Sequence, residues 1–156
     1  MATFTLPYQP GTLRAEAALP PMGEAGRGAI TLQTAGEAKA IRLSVSTPLH
    51  HREGKGVGLQ ADGQDLAFIT VELTDGNGIV NLTANNELTA SVSGPATLIG
   101  FGNADIKDCD RYTDSTHKAW KGRALLVVRS TGKKGKATIT VQGKGLKTAR
   151  VNLFNN

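Results

Sequence analysis

Alternation with a period of two, cut at short intervals by Gly, Pro, Asn and Asp, limits the fold of this sequence more than any other feature. In Ala67-Phe68-Ile69-Thr70-Val71-Glu72-Leu73-Thr74, the residues Ala67, Ile69, Val71 and Leu73 fall on one face, and Thr70, Glu72 and Thr74 on the other. Side chains of a strand point to opposite faces in turn, so the pattern reads as a half-buried strand. It stops at Asp75-Gly76-Asn77-Gly78, residues that tolerate positive φ and make tight turns. The same reading places strands at 41–45, 88–93, 97–101, 137–141 and 149–153, while 124–128, apolar on both faces, reads as a central strand. No segment of useful length carries helical spacing. Seven short strands in a little over 100 residues predict an all-β fold, an antiparallel immunoglobulin-like β-sandwich over residues 39–156.

The first part of the chain reads differently. Strands are expected at 4–8, 12–19 and 29–34, but three strands cannot close a sandwich of their own. Residues 1–38 therefore read as the C-terminal strands of a truncated preceding β domain, whose free edges must pair with something. The opening Met1-Ala2-Thr3-Phe4 has neither the basic nor the apolar region of an export signal and reads as the start of a fragment.

Aromatic residues make up only 4% of the chain, so its core has to be built from Val, Ile, Leu and Ala. Cys109 is the only cysteine, which excludes an internal disulfide and argues against a Cys-based metal site. No run approaches the ~18 apolar residues of a membrane-spanning helix, and no membrane partner is expected. Residues 107–156 hold twelve of the 18 Lys and Arg residues against Asp108, Asp110 and Asp114. A basic half raises the question of a polyanionic partner. Its charges nevertheless read as solvated strand faces and turns, as at Gly-flanked Lys133, Lys134 and Lys136. Sparse aromatics argue against single-stranded nucleic acid, and no nucleic-acid partner is expected.

Several motifs, kept in order along nearly the whole chain, resemble those of glycoside hydrolase family 2. Leu6-Pro7-Tyr8-Gln9-Pro10-Gly11-Thr12-Leu13 and Thr34-Ala35-Gly36-Glu37-Ala38-Lys39-Ala40-Ile41-Arg42-Leu43 look like the end of an accessory β domain in those enzymes. Ala61-Asp62-Gly63-Gln64-Asp65-Leu66, Gly100-Phe101-Gly102-Asn103-Ala104-Asp105, His117-Lys118-Ala119-Trp120-Lys121-Gly122 and Ser130-Thr131-Gly132-Lys133-Lys134-Gly135 resemble the fifth, C-terminal domain, itself similar to invasin-type immunoglobulin-like repeats. The 48–57 stretch is longer than the family's usual connection, and the 106–116 loop departs from the pattern, with Ala104 in place of a Gly. The resemblance implies an accessory region of a bacterial enzyme of the β-galactosidase type, which hydrolyses O-glycosidic bonds in carbohydrate metabolism. Its partner is then the catalytic half of that parent, with a homodimer and a bound carbohydrate as further partners to test. The parent would be exported, to the periplasm or beyond. Alternatives are a carbohydrate-binding module and an adhesion domain.

Glycoside hydrolysis needs two carboxyl groups about 5–10 Å apart, and the resemblance puts those of the family on a TIM barrel, which takes roughly 200 or more residues. This chain has no such pattern, so no catalytic residue, metal or cofactor is expected in it. Asn86-Glu87 matches an acid/base dipeptide of the family but precedes a strand, and reads as coincidence. His50 and His51 point to opposite faces of an extended segment, and His117 has no visible partner, so none reads as a metal ligand. Asn103, Asp105, Asp108 and Asp110 offer oxygens suited to Ca²⁺, but Lys107 and Arg111 interrupt them and the stretch reads as a solvated turn. Trp120 reads as a plug at one end of the core. A sugar site, if the chain has one, would be built from Asn103, Asp105, Tyr112 and Trp120, the aromatic rings stacking and the polar groups fixing orientation.

Overall fold

The structure, a computed structural model, describes residues 3, 5–18, 27–46 and 58–156, and the chain divides into two units, Met1–Ala35 and Gly36–Asn156. Among the described residues every regular element is a β-strand.

In the first unit, β1 (Thr12–Ala18) and β2 (Arg27–Gln33) form an antiparallel hairpin with Leu13 opposite Leu32 and Ala15 opposite Ile30. Its open end is tied where the Thr34 N–H donates to the Gly11 carbonyl at 2.8 Å and the Gly11 N–H donates to Thr34 Oγ1 at 3.2 Å. The strand expected at 4–8 is not formed over 5–8, where Pro7, and Pro10 just beyond, have no N–H to give a ladder. Phe4 lies outside the described residues.

The second unit is a β-sandwich. Its strands are β3 (Ala40–Ser46), β4 (Gly58–Leu59), β5 (Leu66–Thr74), β6 (Glu87–Ser93), β7 (Ala96–Gly102), β8 (Thr116–Lys118), β9 (Arg123–Ser130), β10 (Gly135–Gly143) and β11 (Ala149–Asn155). They form a four-stranded sheet in the order β3-β5-β9-β7 and a five-stranded sheet in the order β4-β11-β10-β6-β8. The ladders are antiparallel except β4–β11, which is parallel through Phe154↔Gly58 and Asn155↔Leu59. The antiparallel sandwich is as expected, and β4 alone departs from it because it meets a strand from the far end of the sequence, by a crossover and not by a hairpin. The two short strands β4 and β8 are additions to the seven read from the pattern.

One core lies between the sheets. The four-stranded sheet contributes Ile41, Ala67, Ile69, Val71, Leu73, Phe101, Leu126 and Val128, and the other contributes Leu59, Leu88, Ala90, Ala137, Ile139, Val141 and Leu153. Alternation places them there: along β5 the odd-numbered residues 67–73 are buried and the even-numbered ones half-buried. Full burial of each larger aliphatic side chain contributes about 1.5–3 kcal/mol. The central position expected for 124–128 is that of β9, between β5 and β7, with its outward Leu125 exposed and Val127 half-buried.

Polar residues fix the turns. The Asp75 carboxylate accepts hydrogen bonds from the N–H groups of Gly36, Asn77 and Ile79, each at 2.9 Å. These donors, Gly36 and Ile79 foremost, hold its carboxyl below the usual range. Asp62 does the same for the turn into β5, accepting from the N–H groups of Gln64 and Asp65 at 2.8 Å, with Gly63 at φ +77°. On the outer face of the four-stranded sheet, burial works against ionisation of Glu72, but hydrogen bonds and charge from Arg42 and Arg123 prevail and its pKa is lowered.

Candidate functional site

β7 and β8 are edge strands of the two sheets, and the 103–115 loop that joins them carries most of the residues singled out for ligand chemistry. Its short polar side chains turn back on its own backbone. Asn103 Oδ1 accepts the Asp105 N–H at 2.7 Å, Asp105 Oδ1 accepts the Lys107 N–H at 3.0 Å, and Asp108 Oδ1 accepts the Asp110 N–H at 2.9 Å. These bonds mimic backbone turns, the local use to which Asn and Asp are most suited. The Asn103 amide also donates to Asp108 Oδ2 at 2.6 Å and to the Lys118 carbonyl at 2.9 Å, pinning the loop to β8.

Beneath the loop lies His117, 1% exposed. It faces inward because β8 alternates: His117 and Ala119 are buried, and Lys118 is exposed. Its Nδ1 is 3.5 Å from Asp108 Oδ2 and 3.4 Å from the Lys118 carbonyl, and its Nε2 meets no partner among the described residues. Tyr112 stacks on the imidazole with an interplanar angle of 3° and a centroid separation of 6.0 Å, and the Phe101 ring tilts against it at 5.8 Å. The Tyr112 ring also lies directly over Gly102, where a Cβ would collide with it. The Asp110 N–H, chiefly, holds the Asp108 carboxyl below its ordinary range, with the Asn103 amide and the nearby His117 and Lys118 acting in the same direction against burial.

The structure thus gathers Asn103, Asp105 and Tyr112 in one loop, and Trp120 lies beyond the other end of β8. Trp120 and Arg123 exchange backbone hydrogen bonds at 2.9 and 3.0 Å around Lys121 (φ 50°) and Gly122 (φ 71°). Two successive positive φ values are those of a tight hairpin turn whose twist suits the flanking strands. The Gly122 N–H donates to the Ala84 carbonyl and its carbonyl accepts the Leu73 N–H, both at 2.8 Å, so the turn is stitched to two further segments. The indole is half-buried, with the Lys121 ammonium 4.5 Å above its ring. Among the described residues no hydrogen bond or ring contact joins Trp120 to Asn103, Asp105 or Tyr112.

Sequence reasoning missed the setting of His117. Its inward direction was legible from the alternation Thr116-His117-Lys118-Ala119, but its contact with Asp108 depends on how the loop folds back. Ligand atoms of Asp108, Asp110 and His117 lie within 4.8 Å of one another, a spacing that a metal ion could draw together. The Asn103 amide already donates to the Asp108 oxygen nearest the imidazole. The whole 48–57 stretch, His50 and His51 included, lies outside the described residues. The Asn86 carbonyl accepts the Ala119 N–H at 2.9 Å, and Glu87 opens β6 opposite Lys118. A surface groove beside them is lined by Glu87, Thr89, Gln142, Gly143, Lys144 and Thr148 together with Asn86.

These features define a β-sandwich domain in which Asp62, Asp75, Asn103, Asp105 and Asp108 hold its own turns. Residues 55–152 match the family described as glycoside hydrolase family 2 C-terminal domain 5, and the chain belongs to that family. It is 32% identical over 144 residues to Beta-galactosidase BoGH2A of Bacteroides ovatus, which covers 91% of this chain and 15% of that protein. A family 2 glycosyl hydrolase of Bacteroides cellulosilyticus superposes with a TM-score of 0.82 at 34% identity, over 97% of this chain and 18% of the other. A beta-glycosidase of Bacteroides vulgatus gives a TM-score of 0.78 at 26% identity, over 96% and 18%. The chain therefore spans less than a fifth of the length of these relatives.

Proposed function

We propose that this chain is a non-catalytic accessory region of a family 2 glycosidase of the β-galactosidase type, an immunoglobulin-like sandwich preceded by the last strands of another β domain. Its role is that of a scaffold: it covers apolar surface on the catalytic half, positions that half, or joins two copies of the enzyme. The observation that carries this reading is the match of residues 55–152 to a C-terminal domain of the family in a chain spanning 15% of a beta-galactosidase. The parent is read as an exported bacterial enzyme.

The test is direct. The purified chain, assayed with a nitrophenyl galactoside, is expected to show no turnover above buffer. Turnover that copurifies with the chain and follows its concentration would refute the non-catalytic reading.

A further inference from the structure

The two outer faces of the sandwich differ in chemistry. Outside the four-stranded sheet, Phe68 pairs with Val127 and Thr70 with Leu125, beside the Glu72 ion pairs. Outside the five-stranded sheet, the outward side chains form polar ranks across β6, β10 and β11. Ser91, Thr140 and Arg150 make one rank, and Ser93, Thr138 and Asn152 the next. Thr89 and Gln142 stand at one end of this face, and Lys136 and Phe154 at the other. The six residues from Lys136 to Gln142 span roughly 20 Å of strand. Phe154, 45% exposed, is the one apolar side chain of these ranks. Protein interfaces have apolar, charge-depleted centres, so this face fits a hydrated ligand and not a dry protein contact.

Charge narrows the choice of ligand. Lys118 stands opposite Glu87 across β8 and β6. Lys136, Lys144 and Arg150 make no ion pair among the described residues, and Lys144 lines the groove at the Gln142 end. The face is therefore positive along its length and rich in hydroxyl and amide groups. We propose that it binds an extended glycan bearing carboxylates, a linear chain of uronate sugars. The planar guanidinium fork of Arg150 matches a carboxylate, with the Ser91 and Thr140 hydroxyls in the same rank for the sugar's own hydroxyls. Thr138 Oγ1 donates to Asn152 Oδ1 at 3.0 Å, which leaves the Asn152 amide nitrogen to donate outward. Lys136 and Lys144 hold negative charge at the two ends, and Phe154 offers one ring face to a sugar. A single exposed ring is too few for the successive base stacking of a single-stranded nucleic acid. The site lies apart from Asn103, Asp105 and Tyr112, and the scaffold role neither requires it nor supplies it.

Titration of polygalacturonate fragments into the purified chain at low ionic strength tests the proposal. Saturable binding is expected, weakening steeply as salt is raised, with none for the uncharged polymer dextran. Arg150→Glu should weaken binding by about tenfold or more, and Arg150→Lys, which keeps the charge but loses the fork, by about threefold. Arg129→Glu makes the same change of charge on an exposed residue of β9, in the other sheet, and should stay within about twofold of the wild-type chain. Thermal melts of the three variants check that each is folded. Equal losses from Arg150→Glu and Arg129→Glu would assign binding to the net charge of the chain and overturn the proposal. Dextran bound as well as polygalacturonate, or no saturable binding of polygalacturonate, would overturn it too.

Discussion

His117 and Asp108 meet across the edge of the sandwich, the imidazole buried with its Nδ1 3.5 Å from the Asp108 carboxylate. The contact ties the 103–115 loop to β8, and the rings of Phe101 and Tyr112 pack against the imidazole. In this arrangement His117 is a piece of the core with a polar edge. His117→Ala should cost about 2–4 kcal/mol, the usual range for emptying a buried ring-sized site. His117→Leu should cost less, because it refills the space and leaves no buried nitrogen unpaired. Urea unfolding of the two variants checks the order, and equal losses would contradict it.

The turn at Lys121 and Gly122 allows a sharper test of backbone geometry. Gly122 has φ 71°, and a Cβ there would run into the Asn81 backbone carbonyl. Gly122→Ala should destabilise by about 2 kcal/mol or more, from left-handed strain and the collision together. Lys121, a non-glycine residue at φ 50°, should behave in the opposite way. Lys121→Gly relieves about 1 kcal/mol of left-handed strain, offset in part by the greater freedom of glycine in the unfolded chain. It should be neutral or slightly stabilising in a thermal melt.

Acid should weaken the fold through its turn-capping carboxylates. Asp75 has a lowered pKa, first through the Gly36 N–H and then through that of Ile79. Below its ordinary pKa the unfolded chain takes up the proton first, so the stabilisation is present above about pH 4 and lost as pH falls toward the folded value. Asp62 and Asp108 shift in the same direction. Urea unfolding at pH 7 and pH 3 should therefore show a larger loss for the wild-type chain than for Asp75→Asn, which begins less stable. A variant with the same pH slope would show that Asp75 is not among the groups responsible.

Ligand titrations separate a scaffold from a binding module. Asn103 and Asp105 engage their side-chain oxygens in loop turns, and the Lys121 ammonium sits over the Trp120 ring. No saturable signal is expected with galactosides at low-millimolar concentration. Heparin is expected to give none that survives high salt, since polyanion binding is largely counterion release. A salt-insensitive galactoside signal abolished by Tyr112→Ala or Trp120→Ala would establish the module instead.

The strands were legible where alternation ran for five residues or more, as in β5, β6, β10 and β11, because burial on one face writes itself into every second residue. β4 and β8 were not legible: they span two and three residues, and their pairing comes from β11 and β6, which lie far away in sequence. Residues 5–8 showed the opposite failure, an extended-looking pattern with no partner strand. In the loop, oxygen-rich composition was plain, but the direction of those oxygens was not. Whether Asn103 faces a ligand or caps the Asp105 N–H depends on local dihedral angles that residue identity leaves open. The Asp108–His117 contact joins residues nine apart through a fold of the loop that no periodicity encodes. Trp120, read as a plug of the core, instead brackets a hairpin turn and is only half-buried.

The most direct test of the scaffold role removes Gly36–Asn156 from the full-length parent and measures kcat and the thermal midpoint together on the folded fraction. The account predicts a lower Tm or an altered oligomeric state, with kcat on a small galactoside held within about threefold of the intact enzyme. A fall of about 100-fold or more in kcat with Tm and assembly unchanged would mean that this region supplies chemistry, and would contradict it.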